Sequence, residues 1–209
     1  MLYVITGHYG SGKTEFALNF AISKKMSMIV DLDIVNPYFR TADVKDKLDD
    51  IGIRAITPNF AGSNIDVPSL PAEIYSAFQQ DGDVLFDVGG DDDGAIALGR
   101  FNKSFLERGY EMFFVVNTRR PGSKSPEQII EMVHAVEGAS RLKVTGLINN
   151  TNIMKETRPE HIAAGHEIIS RAAETLKLPI VYNSAMEGLA NGLPNCFNMK
   201  KYINVPWEV

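Results

Sequence analysis

The sequence predicts one α/β domain over residues 1–209, a doubly wound, mostly parallel sheet with helices on both faces. Three observations predict this three-layer arrangement. Short apolar runs alternate with amphipathic segments along the whole chain. A glycine-rich stretch, GHYGSGKT at 7–14, stands where the first run gives way to the first helical pattern. Finally, 209 residues with 44% hydrophobic and 22% charged side chains suit one globular core of ordinary size.

Taken in order, the strand candidates are LYVIT (2–6), MIVDLD (28–33), IRAIT (53–57), VLFDV (84–88), MFFVVN (112–117), VTGLINN (144–150) and IVYN (180–183). Between them apolar residues recur at helical spacing. Phe16, Ala17, Phe20 and Ala21 make the packing side of the first helix, and Lys24 with Lys25 suits its negative end. Val44, Leu48 and Ile51 give a second apolar face, stopped by Gly52. Leu98, Phe101 and Phe105 give another. SPEQ at 125–128 supplies an N-cap, a first-turn proline and a capping-box glutamine ahead of Ile129, Ile130, Val133 and Val136. TRPE at 157–160 repeats that pattern before the longest helix, which ends near Lys177. The least regular parts, 34–41, 58–70, 89–94 and 185–209, are loops. In a sheet of this kind the ligand sits against the loops that follow the carboxyl ends of the strands, which gives weight to 34–41 and 89–94.

Charge and composition exclude several classes of function. A net charge of −5 gives no global attraction to nucleic acid or to an anionic membrane. No apolar run approaches the ~20 residues of a membrane span, residues 2–6 read as a buried strand rather than a leader, and KKYINVPWEV at 200–209 lacks a basic amphipathic pattern. A cytoplasmic protein is expected. The single Cys196 excludes an intrachain disulfide and a thiolate-built zinc site. His134, His161 and His166 read as ordinary surface or packing residues.

A strand, then Gly7, four residues, Gly12, Lys13, Thr14 and a helix is the context that a phosphate-binding loop requires. The glycines Gly7, Gly10 and Gly12, with Ser11, let backbone N–H groups converge on phosphate oxygens, and the helix adds the positive end of its dipole. Lys13 supplies a mobile cation for the β and γ phosphates; Thr14 supplies a hydroxyl for Mg²⁺. Position 8 of the loop is His8, read as an exposed residue.

Carboxylates complete the expected site. Asp87, at the tip of VLFD, is placed to hold Mg²⁺, usually through water. DLD at 31–33 puts Asp31 and Asp33 two apart, on one face if the strand persists that far. Asp33 then orients or deprotonates the attacking water, and Asp31 supports the Mg²⁺ shell. GGDDDG at 89–94 has glycines suited to a switch segment, whereas Asp91, Asp92 and Asp93 read as a solvated loop. Tyr38, Phe39 and Arg40 offer a partner-contact surface.

Together these pieces resemble the MinD, ParA and nitrogenase iron-protein group of P-loop ATPases, in the class that also includes signal-recognition and metallochaperone GTPases. The resemblance covers most of the chain. DLD resembles the group's first switch, and DVGGDDDGAIALGR at 87–100 resembles the iron protein's second. GLINNTN at 146–152 resembles the strand end where the group places an asparagine on adenine, which implies Asn150 here. An amide suits adenine's donor and acceptor edge, and Asn-Lys-x-Asp is absent, so ATP is expected over GTP. The resemblance also implies face-to-face dimers over nucleotide. Two departures limit it. Where MinD and ParA carry a lysine that reaches the partner subunit, this chain has His8, and the iron protein's cluster cysteines are missing, so no iron–sulfur cluster can be held on its own cysteines.

The expected function is therefore a Mg²⁺-dependent ATP-binding protein and slow ATPase, a switch acting on a protein partner or a metallocentre. The alternative is an ATP-dependent small-molecule kinase or ligase resembling dethiobiotin synthetase, with 58–70 lining the acceptor pocket and Arg119, Arg120 or Arg40 meeting an anionic substrate. A third class, a nucleotide-dependent assembly protein, would dimerise with ATP without turnover.

Overall fold

A computed structural model describes residues 1–33, 45–57, 73–90 and 92–203. Its eight-stranded sheet is parallel throughout, in the order β3-β2-β4-β1-β5-β6-β7-β8. The strands are β1 (Leu2–Gly7), β2 (Met28–Asp31), β3 (Arg54–Ile56), β4 (Val84–Asp87), β5 (Tyr110–Val116), β6 (Gly146–Asn149), β7 (Ile180–Met186) and β8 (Cys196–Met199). Between them run α1 (Lys13–Lys24), α2 (Lys45–Asp50), α3 (Ile74–Gln79), α4 (Asp92–Gly99), α5 (Asn102–Arg108), α6 (Pro126–Ser140) and α7 (Pro159–Leu176).

Period-two burial divides the inner strands between two cores. Val4, Val84, Phe86, Met112 and Phe114 face one core with residues of α3 to α7, while Ile5, Leu85, Phe113 and Val115 face the other with residues of α1 and α2. Helices on both faces, with every predicted strand present in parallel, give the doubly wound architecture. The chain runs outward from β1 to β3, returns through β4, and crosses to β5 on the far side of β1. The turn after β1 thus lies at the topological switch point, where such sheets take ligands.

Several local expectations are corrected by particular contacts. The segment around Leu98, Phe101 and Phe105 is two helices, broken at Arg100 and Phe101. Leu48 of α2 is buried, but Ile51 lies in the turn after the helix and is 55% exposed; Val44 lies outside the described residues. Ser125 does cap α6, accepting from the Gln128 N–H, although Gln128 returns its bond to the Lys124 N–H one residue earlier. The cap of α7 is Arg158 rather than Thr157, whose hydroxyl closes the preceding 3-10 turn on Met154. Strand β8 has no counterpart among the predicted strands. It brings Phe197 against Phe16 and Tyr182, and the chain after it lies on α1, where the Glu15 carboxylate accepts from the backbone N–H groups of Tyr202 and Ile203. Pro206 lies outside the described residues.

Candidate active site

Parallel register brings the acidic residues together. Asp31 and Asp87 end their strands as direct neighbours across β2 and β4. Adjacent strands lie about 4.8 Å apart, so two carboxylates on one face repel strongly once they are out of water. Both are buried. Burial, and then its neighbour Asp87, push the Asp31 carboxyl up to about 8. Burial likewise pushes Asp87 up to about 7, with Lys13 and Thr14 pulling the other way. Thr14 lies near enough to bias Asp87 without making a well-formed hydrogen bond, because neither Asp87 oxygen has a hydrogen-bond partner among the described residues.

Strand β2 stops at Asp31, so Asp31 and Asp33 do not share a strand face. The Asp31 carboxylate captures the Asp33 N–H at 2.9 Å, while the Leu32 N–H donates to the Asp87 carbonyl. That local turn delivers Asp33 to Lys13, whose Nζ lies 3.0 Å from Oδ2, with both side chains buried. The structure therefore joins Lys13, Asp31, Asp33 and Asp87 into one cluster below the glycine-rich loop, with Thr14 beside them.

The loop itself, Gly7 to Gly12, runs directly into α1. Gly12 takes the N-cap position in a left-handed conformation, φ 83°, and no side chain caps the helix. Its first N–H groups thus face the loop with no side-chain acceptor, the arrangement that suits an incoming phosphate. Gly90, after β4, stacks so closely on the Gly7 carbonyl that a Cβ has no room between them. His8 is half-buried rather than exposed, with its imbedded side near Gly122. Residues 34–44, 58–72 and 91, which include Tyr38, Phe39, Arg40, Asp91 and the expected acceptor loop, lie outside the described residues, as do the side chains of Asp92 and Asp93.

Asn150 lies against the loop, and both ends of its amide are engaged by the protein. Nδ2 donates to the Ser11 carbonyl at 2.7 Å, and Oδ1 accepts from the Ser184 hydroxyl at 3.0 Å. The sequence reading passed over Ser184 and Asn117, the residue after β5. Asn117 accepts from the N–H groups of Arg119 and Asn152 and donates to the Asn152 carbonyl. The available signal was positional: each is a polar residue at or near the carboxyl end of a central strand.

The donor set fits Mg²⁺ in a specific sense. Among the described residues no three His, Cys, Asp or Glu side chains form a group that could hold an ion unaided. Mg²⁺, however, is commonly bound by one or two carboxylates together with phosphate oxygens and water. Asp87, buried and without a hydrogen-bond partner among the described residues, and the Thr14 hydroxyl provide hard oxygens of that kind.

No protein-family model and no curated protein matches the chain. Solved structures do. FtsY of Mycoplasma mycoides is 16% identical with a TM-score of 0.52, over 86% of this chain and 57% of that one. The cell division protein FtsY of Thermotoga maritima is 17% identical at 0.52, over 86% and 60%. The signal recognition particle receptor FtsY of Elizabethkingia anophelis, in complex with GDP, is 17% identical at 0.50, over 86% and 55%. The chain thus spans 55 to 60% of the length of these proteins. At such identities the likeness establishes the fold alone, the α/β fold of P-loop nucleoside triphosphatases. It does not single out the MinD and ParA group. Among the described residues no helix is long and apolar enough to cross a membrane.

Proposed function

We propose that the chain binds Mg²⁺ and a nucleoside triphosphate, ATP by preference, and hydrolyses it slowly as a switch read by a protein partner. The observation that carries this reading is the buried Lys13–Asp33 pair at the foot of the glycine-rich loop, beside an Asp87 carboxylate with no hydrogen-bond partner among the described residues. Burying four ionisable groups together is costly unless further partners complete them. Asp33 acts as an internal anion for Lys13. When phosphate oxygens compete for Lys13, Asp33 is released to orient or deprotonate the attacking water. Thr14 and Asp87, with Asp31 behind them, would hold Mg²⁺, which supplies neutralising charge on the phosphate oxygens. The preference for ATP rests on the missing guanine motif; Asn150, whose amide is bound to Ser11 and Ser184, would reach adenine only with its remaining N–H and lone pair, and face-to-face dimerisation belongs to the same proposal.

Release of inorganic phosphate from ATP and from GTP tests it. The rate is expected to be slow, to favour ATP, to rise with a partner, and to disappear in Lys13→Ala and Asp33→Asn. Unchanged hydrolysis in Lys13→Ala would sink the proposal. A rate that rises only with a small metabolite would favour the kinase or ligase reading instead.

A further inference from the structure

The glycine-rich loop has a second set of supports, on the side away from the carboxylates. Arg120, in the turn between β5 and α6, donates from Nε to the Gly10 carbonyl at 3.0 Å. Two residues on, a Cβ at Gly122 would lie 3.5 Å from Nε2 of His8. The turn is itself braced, because the Asn117 carbonyl accepts from the Ser123 hydroxyl at 2.7 Å and from the Arg120 N–H at 3.0 Å. A fixed turn therefore presents Arg120 to the loop.

The consequence falls on one peptide plane. The Gly10 carbonyl and the Ser11 N–H belong to the same planar group and, in a trans peptide, point in opposite directions. Arg120 takes the carbonyl, and the His8 carbonyl accepts the N–H at 3.0 Å, so both ends of the plane are tied. The next carbonyl, Ser11, is held by Asn150. Gly10 is at φ 73°, and the nearest Arg120 side-chain atoms, Nε, Cζ and Cδ, lie 3.2 to 3.6 Å from where a Cβ would stand. Glycine there serves both the left-handed backbone and the close passage of the arginine. Ordering a glycine-rich loop at the moment of binding costs conformational entropy; a loop already tied in place avoids it.

We propose that Arg120 is a positioning residue for phosphate binding, acting through the Gly10 carbonyl to preset the backbone that receives a nucleotide. The inference rests on the nucleotide-binding reading above. Because the loop cradles the α and β phosphates, which di- and triphosphates share, Arg120 should support both alike. Its work is done by the Nε donor, and not by its charge.

Titration with fluorescent ADP and a non-hydrolysable ATP analogue, with Mg²⁺ present, tests this in wild type, Arg120→Ala and Arg120→Gln. Arg120→Ala should raise Kd for both nucleotides about fivefold, leaving their ratio unchanged. Since Arg120 is exposed, the melting temperature of the empty protein should stay within about 2 °C. Glutamine carries Nε2 at the same number of bonds from the backbone as arginine's Nε, so Arg120→Gln should recover most of the affinity. Unchanged Kd in Arg120→Ala overturns the proposal. So does a loss confined to the ATP analogue, which would mean contact with the terminal phosphate, and so does an Arg120→Gln variant as weak as Arg120→Ala. Wild type that binds neither nucleotide would instead defeat the nucleotide reading itself.

Discussion

Two polar clusters are buried at the carboxyl edge of the sheet, one on each side of β1. To one side stand Lys13, Asp31, Asp33 and Asp87; to the other stand Asn149, Asn183 and Ser184, with His166 at the rim. The second group satisfies its own amides, and Ser184 links it to Asn150 beside the loop. Asn149 donates to the Ile162 carbonyl and to Asn183 Oδ1, which also meets His166 Nδ1; Asn183 donates to the Pro194 carbonyl, and Ser184 to the Asn149 carbonyl. The first group is ionisable, its carboxylates repel one another around the single Lys13–Asp33 pair, and both Asp87 oxygens lack hydrogen-bond partners among the described residues. Neutral amides that satisfy one another hold β6, β7 and α7 together. Carboxylates that do not are a destabilising arrangement that a ligand can relieve.

Substitutions that attack each cluster in turn can break that contrast. The largest effect is expected for Lys13→Ala, which removes both the buried ammonium paired with Asp33 and the cation for the phosphates. Nucleotide affinity should fall at least about a hundredfold, read by titration, since a buried charge pair is lost along with the binding contact. An unchanged Kd would show that the acidic cluster is architectural after all.

Asn183→Ala attacks the amide cluster. It removes one of the two acceptors of the Asn149 amide and the oxygen that meets His166 Nδ1, and should lower stability by about 2 kcal/mol in urea unfolding. The nucleotide Kd should stay within about twofold; a large change there would mean that the two clusters are one functional unit.

The pH dependence of stability sharpens the contrast further. Asp31 and Asp87 are held up to about 8 and about 7, above the ordinary carboxylate range. Their protonated forms are therefore favoured in the folded protein. The stability they contribute is fully present below about pH 4, where the unfolded chain is protonated too, and is lost as pH rises through 7 and 8. Unfolding of the nucleotide-free protein should accordingly become easier between pH 5 and 8. Asp87→Asn should stabilise it at pH 8 by something on the order of 2 kcal/mol and flatten that slope. A slope that Asp87→Asn leaves intact would remove the electrostatic account. The smallest effect is expected for His8→Lys, with phosphate release within about twofold of wild type; a larger change would give position 8 a direct role.

Much of this contrast is legible in the sequence. Gly7 to Thr14, Asp33 and Asp87 announce themselves because a strand end followed by glycines or by a lone carboxylate is a local pattern, and the central strands β1, β2, β4 and β5 are largely apolar runs. What escapes is what depends on the third dimension. Strand β8, CFNM, is an edge strand with two exposed positions, so it lacks the apolar run that marks its neighbours. The meeting of Asp31 with Asp87 is a matter of register between strands far apart in sequence. The turn that carries Asp33 to Lys13 depends on a side chain capturing a backbone N–H. Asn150 is found by resemblance, but its bond to Ser11 spans 139 residues and could be read only from the fold.

In the proposed function, Mg²⁺ and a nucleoside triphosphate complete the acidic cluster. Calorimetric titration of ATP into the protein at pH 7.5, with Mg²⁺ and again with excess EDTA, tests it most directly. The account predicts saturable binding with Mg²⁺ that weakens at least about tenfold in EDTA. No binding with Mg²⁺, or equal binding in EDTA, would contradict it.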